Sequence, residues 1–341
     1  MKQIVYQSGQ DGYHTYRIPA LLVTKAGTLL AFCEGRRNGR GDHGDLDLLV
    51  KRSEDGGQTW SEQLFIYGEP GEVTIGNPCP VMDQDTGTIW MSLCRENVDV
   101  LMTHSTDDGK TWAEPVDINA QVTKPEWGWY ATGPGVGIQL KSEQYKGRLV
   151  MPCDHREDST YGNGAHAIYS DDHGATWQLS EVIKPGANES QVVELADGSL
   201  LMNIRMQTYS KGYRAISVSK DGGHTWSELE HDTHLQCSKC QASLVGEGDR
   251  LVFSNPLAPT PPEQAKPGER FHPGVSRGDR LNMTARLSED GGKTWVAQTL
   301  LHEGPAAYSC LALLPDGDVG CLYEASDEAP PQNLIFERFQ F

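Results

Sequence analysis

Two short segments combine arginine with acidic or aromatic side chains, and each could take part in acid–base chemistry or in recognition of an anion. One is Tyr16–Pro19, and the other is residues 31–47, where Arg36, Arg37 and Asp42 lie on a glycine-rich stretch. A guanidinium group can bind a carboxylate through two parallel hydrogen bonds, whereas a carboxyl group can give or take a proton. These residues form a site only if the fold brings them together.

The eight cysteines give little support for metal or redox chemistry. Only Cys237 and Cys240 have the spacing of a metal or redox pair, and no second pair of Cys or His residues stands close by in the sequence. We therefore expect ordinary buried or free thiols, and no metal or redox cofactor.

The charge balance restricts the partners. With 29 basic and 47 acidic residues, the net charge is -18. This argues against binding to a phosphate backbone or to an anionic membrane. An anionic substrate would need a local cluster of basic residues within a repelling field.

The length of 341 residues suits one large domain or two ordinary ones. No apolar run approaches the ~18 residues of a membrane span, and no apolar signal-peptide segment stands at the N-terminus. We expect a soluble protein, either cytoplasmic or, if a leader has been removed, secreted or periplasmic.

A repeated box organises the chain: the pattern Ser-x-Asp-x-Gly-x-Thr-Trp occurs five times. The boxes are Ser53–Trp60, Ser105–Trp112, Ser170–Trp177, Ser219–Trp226 and Ser288–Trp295. Ser and Asp side chains can bond nearby backbone N–H groups, Gly can adopt a left-handed conformation and Trp can anchor the loop, so each box is typical of a hairpin turn. An EF-hand calcium loop is longer and flanked by helices, so we do not expect these boxes to bind calcium.

The spacing of the boxes predicts an all-β fold. Their first residues are 52, 65, 49 and 69 apart, which suits units of about four strands and hence the blades of a propeller. We predict a six-bladed β-propeller spanning 1–341 as one domain. Five boxes mark five blades, and the stretch Pro256–Pro273 is expected to be a surface excursion of one of them. The sixth blade is expected to combine both chain ends, from the segments Gln3–Gln7, Ala312–Leu314, Val319–Tyr323 and Asn333–Phe341.

The boxes resemble the Asp boxes of sialidases, which also occur in other glycosidases and in non-enzymatic sorting receptors, so further motifs have to decide. Tyr16–Pro19 resembles the motif that opens the sialidase catalytic domain, and residues 31–47 resemble the family's segment with a second arginine and the catalytic aspartate. Other segments match in the family's order, namely Asn188–Leu195 followed by Arg205, Asn282–Arg286, Ala307–Ser309 and Leu322–Glu324. From about residue 7 to residue 324, the chain is similar to the bacterial-type exo-α-sialidases of glycoside hydrolase family 33.

The resemblance implies an arginine triad. Arg17, Arg205 and Arg286 correspond to the residues that bind the carboxylate of sialic acid, and Arg277 and Arg280 are taken to lie outside the triad. Guanidinium groups suit this task because each can bond a carboxylate bidentately. Three arginines at the axis of a propeller would also supply the local basic cluster that the net charge requires.

The resemblance also implies the catalytic residues. Tyr308 corresponds to the nucleophile, Glu189 to the base that activates it, and Asp42 to the general acid/base. A neutral nucleophile has an advantage because the carboxylate on the anomeric carbon would repel an ionised Asp or Glu. Asp45 and Asp47 compete with Asp42 but are expected to hold strand ends or turns.

Further contacts are implied at the rim of the site. Arg36, preferred over Arg37, is expected to contact the carboxylate side or the C4 hydroxyl of the substrate, and Glu324 to fix the side chain of Arg17. The run Asp154–Arg156 follows a predicted strand and could also line the rim.

The activity implied is that of a retaining exo-α-sialidase, which acts on sialylated glycans through a tyrosyl-glycosyl intermediate without a cofactor. A trans-sialidase, including an intramolecular one, or a hydrolase that prefers deaminated sialic acid would carry the same residues. A non-catalytic sialic-acid-binding propeller is expected less, because Tyr308, Glu189 and Asp42 are all present.

Overall fold

The computed structural model describes residues 1–157, 162–208, 210–257 and 280–341. Within these ranges the chain is almost entirely β-structure, with one helical turn, α1 (Asn119–Val122). All strand pairs are antiparallel. No helix in the described ranges has the length and apolarity needed to cross a membrane.

Four sheets follow one another along the chain. The first consists of β2 (Thr15–Val23), β3 (Leu29–Arg36), β4 (Leu46–Ser53) and β5 (Leu64–Tyr67). The second consists of β6 (Ile75–Met82), β7 (Ile89–Arg95), β8 (Asp99–Ser105) and β9 (Val116–Asp117). The third consists of β10 (Trp127–Thr132), β12 (Leu149–Glu157), β13 (Asn163–Ser170) and β14 (Gln178–Leu179), with β11 (Ile138–Gln139) also paired to β12. The fourth consists of β15 (Ala187–Glu194), β16 (Leu200–Met206), β17 (Tyr213–Ser219) and β18 (Glu230–Gln236).

The remaining strands form one seven-stranded sheet, here called the joint sheet. Its order is β1 (Lys2–Gln7), β24 (Asn333–Phe339), β23 (Val319–Ala325), β22 (Ala297–Leu313), β21 (Leu281–Ser288), β20 (Arg250–Leu257) and β19 (Ser243–Glu247). The long strand β22 links its two parts, because its first half pairs with β21 and its second half with β23. The expected strand Ala312–Leu314 is thus mostly the end of β22.

The chain closes on itself into a ring. Contacts run from β2 to β6, from β6 to the third sheet, and on through β15 and β19 to β22, which contacts β2 again. The pairing of β1 with β24 confirms that both chain ends complete one sheet. Because the joint sheet is continuous, the expected count of six blades stays a prediction. Most of the proline-rich stretch, from 258 to 273, lies outside the described residues.

Each box forms the turn between the third and fourth strands of its unit, as expected. In the first box the Gly57 N–H donates to Ser53 Oγ (2.8 Å), and Asp55 Oδ1 accepts from the Thr59 N–H (2.9 Å). The other four boxes repeat these bonds. Gly57 has a φ of +88°, and a Cβ there would lie 2.1 Å from the Phe336 ring, so this position requires glycine.

Apolar side chains from neighbouring sheets pack between them, as the near-continuous buried runs of the central strands require. The largest cluster joins the first, second and joint sheets and includes Phe32, Met91 and Phe336. All eight cysteines are buried free thiols, which confirms that expectation.

Register irregularities recur in four strands from different parts of the ring. The register shifts between Arg17 and Ala20 in β2 and between Gly76 and Cys79 in β6. It also shifts at 187–190 in β15 and at 306–309 in β22. A β-bulge redirects the side chains at its position. The recurring bulges therefore turn residues of four distant segments toward one place.

Candidate active site

A cavity of about 270 Å³ lies where the bulged segments meet. Its walls include Ile18, Asn77, Glu189 and Tyr308, one or two residues from each of the four bulges. A larger cavity of about 450 Å³ lies at the other end of the same inner strands, but its walls are mainly Leu and Val side chains. The smaller cavity brings together Asp42, Glu189 and Tyr308, which could take part in acid–base chemistry.

Tyr308 and Glu189 are in direct contact at the base of this cavity. The Tyr308 hydroxyl donates to Glu189 Oε1, and Arg205 donates from Nη1 to Glu189 Oε2 and to the Tyr308 oxygen (3.1 Å). All three side chains are buried. Burial and the Glu189 carboxylate raise the pKa of Tyr308, whereas Arg205 and Arg280 lower it. The phenol is therefore protonated in the free protein, with a base already in place.

Arg17 is fixed by a carboxylate from the joint sheet. Its Nε donates to Glu324 Oε1 (3.2 Å), which also accepts the backbone N–H of Ile18 (3.1 Å). Ile18 has a φ of +57°, a strained conformation for a β-branched residue. The guanidinium of Arg17 lies 5.2 Å from the centre of the Tyr308 ring. Glu324 thus holds both the side chain of Arg17 and the adjacent bulge, so that Arg17 lies beside Tyr308 and Asp42.

Asp42 reaches the cavity from an exposed loop. Its Oδ1 accepts from Arg17 Nη1 (3.1 Å) and from Arg36 Nη1 (2.9 Å), and its side chain is 55% exposed. Arg36 is buried and also donates to Glu34 Oε2 (2.7 Å), so it lines the cavity with a fixed geometry.

The neighbouring charged residues point elsewhere. Arg37 pairs with Asp45 (3.3 Å) and Asp47, and Asp47 accepts from the Tyr13 hydroxyl (2.7 Å). None of these four side chains lines the cavity. Of the competing residues, therefore, Arg36 and Asp42 are the ones that line the cavity.

The structure does not bring Arg286 to these groups. Arg286 lies near the box end of β21, opposite Gln298, and donates to Asn255 (3.1 Å). Arg280 stands just before the other end of β21, where its carbonyl accepts the N–H of Ala306 (3.1 Å), and its guanidinium lies 5.7 Å from the centre of the Tyr308 ring. Six residues of extended strand separate the two arginines by up to about 20 Å. The structure therefore places Arg280, and not Arg286, beside Tyr308. Arg277 lies outside the described residues.

A further part of the cavity wall is mainly polar. It is formed by Asn97, Trp129, Arg156, Asn163 and Asn188. Arg156 is exposed and lies over the Trp129 ring, 6.0 Å from its centre. Within the described ranges, no carboxylate pairs with it. This wall can bond hydroxyl or amide groups of a ligand.

Asp154 differs from the expectation that it lines the rim. Its side chain is completely buried, and its Oδ2 accepts from Asn188 Nδ2 while Oδ1 has no hydrogen-bond partner. Burial and the nearby Glu189 carboxylate hold its pKa well above the usual range of a carboxyl. Sequence reasoning missed the burial of Asp154 because Asp side chains are mostly exposed in folded proteins.

One group of possible metal ligands occurs in the described ranges: Asp83, Asp85 and His173, outside this cavity. Asp83 already accepts from the Asp85 N–H (3.0 Å), the Thr86 hydroxyl (2.8 Å) and His173 Nδ1 (2.9 Å). These bonds account for the cluster as a structural link between the second and third sheets.

Known proteins are similar to this chain in sequence and in fold. A family model described as a BNR repeat-like domain matches residues 27–321. A sialidase of Micromonospora viridifaciens is 36% identical over 93% of this chain, which spans about half (51%) of that relative's length. A solved Hadza microbial sialidase superimposes with a TM-score of 0.85 at 30% identity, over 100% of this chain and 68% of that one. The intramolecular trans-sialidase from Ruminococcus gnavus has the same fold, with a TM-score of 0.77 at 20% identity over 99% of this chain and 97% of its own.

Proposed function

Since the chain belongs to the sialidase family that carries the BNR repeat-like domain, we propose that it is a retaining exo-α-sialidase acting on glycans with a terminal, α-linked sialic acid. The contact that carries this proposal is the hydrogen bond from the Tyr308 hydroxyl to Glu189, with arginines on both sides. A buried phenol bonded to a carboxylate and surrounded by guanidinium groups suits nucleophilic attack beside an anionic substituent.

The substrate carboxylate binds to Arg17, Arg205 and Arg280 in this proposal. Their guanidinium groups surround Tyr308, two against its ring and one at its hydroxyl. Arg280 replaces Arg286 as the third member. The arginines therefore place the anomeric carbon, which bears the carboxylate, next to the Tyr308 oxygen.

Tyr308 attacks the anomeric carbon as its proton passes to Glu189. The C–O bond between Tyr308 and the sugar forms, the glycosidic bond breaks, and the leaving oxygen takes a proton from Asp42. Because the raised pKa of Tyr308 keeps the free phenol neutral, the nucleophile develops its charge only during attack. Sialidases with a tyrosine nucleophile differ in this respect from glycosidases with two catalytic carboxylates.

Water completes the reaction. Asp42, now ionised, takes a proton from the water that attacks the anomeric carbon, and Tyr308 leaves and recovers its proton from Glu189. In the free protein Asp42 contacts both Arg17 and Arg36. When the substrate carboxylate occupies Arg17, Asp42 loses one cationic partner and holds a proton more readily.

Product stereochemistry tests this function. A double displacement releases the α-anomer first, which proton NMR detects before it mutarotates. Release of the β-anomer first would contradict the tyrosyl intermediate. No turnover of any sialoside would contradict the enzyme itself, and transfer to added lactose would instead indicate a trans-sialidase. Aryl glycosides of N-acetylated and deaminated sialic acid, assayed in parallel, would identify the preferred sugar.

A further inference from the structure

Asp154 is a buried acid for which the mechanism above has no role. It lies in β12 between Ala131 of β10 and Ala165 of β13, where neither neighbour offers a side-chain donor. Its one hydrogen-bonding partner in the described ranges is the amide of Asn188, the residue before Glu189. The oxygen Oδ1 is buried and has no partner.

The charges around Asp154 do not compensate an ionised carboxylate. Glu189 faces it from β15 and Arg205 from β16, but Arg205 is bound to Glu189, Tyr308 and Gln207. Within the described ranges no Lys, Arg or His forms an ion pair with it. A buried carboxylate without an ion pair is strongly disfavoured relative to the neutral acid.

The other titratable groups nearby are neutral. Burial raises the pKa of the Tyr130 hydroxyl and of the Cys94 and Cys153 thiols, which lie close enough to Asp154 to interact with it electrostatically. Burial also lowers the pKa of His155 to about 3, and that of His166 well below its usual value. Of the residues that the structure describes, Glu189 is therefore the one negatively charged group that acts on Asp154.

We propose that Asp154 is a positioning residue: as a neutral, protonated acid it fixes the Asn188 amide in the cavity wall without adding a second negative charge beside Glu189. The Asn188 Nδ2 bond leaves the amide oxygen free to face the cavity, where it accepts from a hydroxyl or N–H of the sugar. An ionised Asp154 would repel Glu189 and make its carboxylate harder to ionise. This role rests on the proposed function, because it concerns the base that activates Tyr308.

The test compares Asp154→Ala with Asp154→Asn, using the pH profile of kcat/KM for an aryl sialoside. Asp154→Ala removes the acceptor for Asn188 and lowers kcat/KM at least about tenfold. Asp154→Asn offers Asn188 an equivalent amide oxygen and restores kcat/KM to within about threefold of the unmodified protein. The acidic limb, which reports ionisation of the base, then superimposes on that of the unmodified protein. A shift of the limb to lower pH by about half a unit or more would show that Asp154 is charged, and full activity of Asp154→Ala would show that it positions nothing.

Thermal unfolding provides a second test that does not need activity. A carboxyl whose pKa is raised by folding favours the folded state most below its unfolded pKa, and that contribution is lost as pH rises toward the folded pKa. The melting temperature of Asp154→Asn should therefore equal or exceed that of the unmodified protein at pH 7. A decrease would overturn the proposal.

Asp83→Asn is the matched control. Asp83 is equally buried, but accepts five hydrogen bonds, and those from Thr86, Asp85 and His173 lower its pKa against the effect of burial. Its replacement should lower the melting temperature at pH 7 and leave the pH profile unmoved. If the unmodified protein hydrolyses no sialoside, the proposed function fails while the thermal comparison still reports whether Asp154 carries a proton.

Discussion

Tyr308 and Glu189 lie 119 residues apart in the sequence, yet the tyrosine hydroxyl donates directly to the glutamate carboxylate. Each stands within a bulge of an inner strand, one in the joint sheet and one in the fourth sheet. The proposed nucleophile and its base are therefore positioned by two neighbouring sheets of the ring.

Removal of the Tyr308 hydroxyl should abolish most activity without unfolding the protein. Tyr308→Phe keeps the buried ring but removes the attacking oxygen, so we expect turnover of an aryl sialoside to fall by several orders of magnitude, with an unchanged far-UV circular dichroism spectrum. Tyr169→Phe is the control, because Tyr169 bonds Gln178 and His224 away from the cavity. Unchanged turnover of Tyr308→Phe would remove Tyr308 from the mechanism.

The dependence on the leaving group separates Asp42 from the nucleophile. Asp42→Ala should slow hydrolysis of natural sialosides far more than that of aryl sialosides, whose leaving groups need little protonation. Asp45→Ala is the control, because Asp45 contacts Arg37 outside the cavity. Equal losses of Asp42→Ala on both substrates would return the acid role to Asp45 or Asp47.

The three arginines should dominate the binding of an anionic inhibitor. Removing one leaves the carboxylate under-paired, and by analogy with buried charge pairs this costs about 2–5 kcal/mol. The net charge of -18 repels the ligand at long range, so affinity depends on short-range contacts that salt screens weakly. In calorimetry with an unsaturated sialic acid, Arg17→Ala, Arg205→Ala and Arg280→Ala should each weaken binding well over tenfold.

Arg286→Met provides the matched control for Arg280→Ala. Arg286 donates to Asn255 and does not contact the cavity groups, and methionine fills a similar volume. Affinity should therefore change little. A large loss in Arg286→Met together with none in Arg280→Ala would restore the original placement of the third arginine.

Arg156 should affect binding more than chemistry. Its guanidinium has a ring contact with Trp129 but no ion pair in the described ranges, so it can bond sugar hydroxyls. Arg156→Ala should raise KM several-fold with little change in kcat, the pattern of lost uniform binding. Arg95→Ala, which breaks an ion pair with Asp99 outside the cavity, is the control. A fall in kcat with KM unchanged would contradict this role.

The boxes should make the fold sensitive to acid. Bonds from the Thr59 hydroxyl, the Thr59 N–H and the Ser53 hydroxyl lower the pKa of Asp55 to about 2. Its contribution to stability is present above the unfolded pKa and is lost as pH falls through about 2. Asp55→Asn should therefore lower the melting temperature at pH 7, by an amount that shrinks toward pH 2. Glu54→Gln changes an exposed neighbouring residue and should leave the melting temperature unchanged. If Asp55→Asn lowered the melting temperature equally at every pH, the Asp55 carboxylate would not have this role.

Contiguous motifs were sufficient to predict the boxes, the all-β ring, and the positions of Tyr308, Glu189, Asp42 and Arg36 at one cavity. They were not sufficient to choose between Arg280 and Arg286. The two residues are an even number of positions apart, so an extended strand would place both side chains on the same face. The sequence did contain a signal that favours Arg280. The last box begins two residues after Arg286, and the boxes lie at the end of the strand that is far from the cavity. The protonation state of Asp154 depends on packing between three strands, and no short sequence motif predicts that packing.

The pairing of β1 with β24 also sets an order of assembly. During synthesis β24 is the last of these strands to leave the ribosome, so β1 waits for its partner until all the others exist. Arg17 likewise has no Glu324 to bind until β23 has been synthesised. Until then the proposed substrate-binding groups of a nascent chain are unassembled, and we expect activity only after all strands of the ring have been translated.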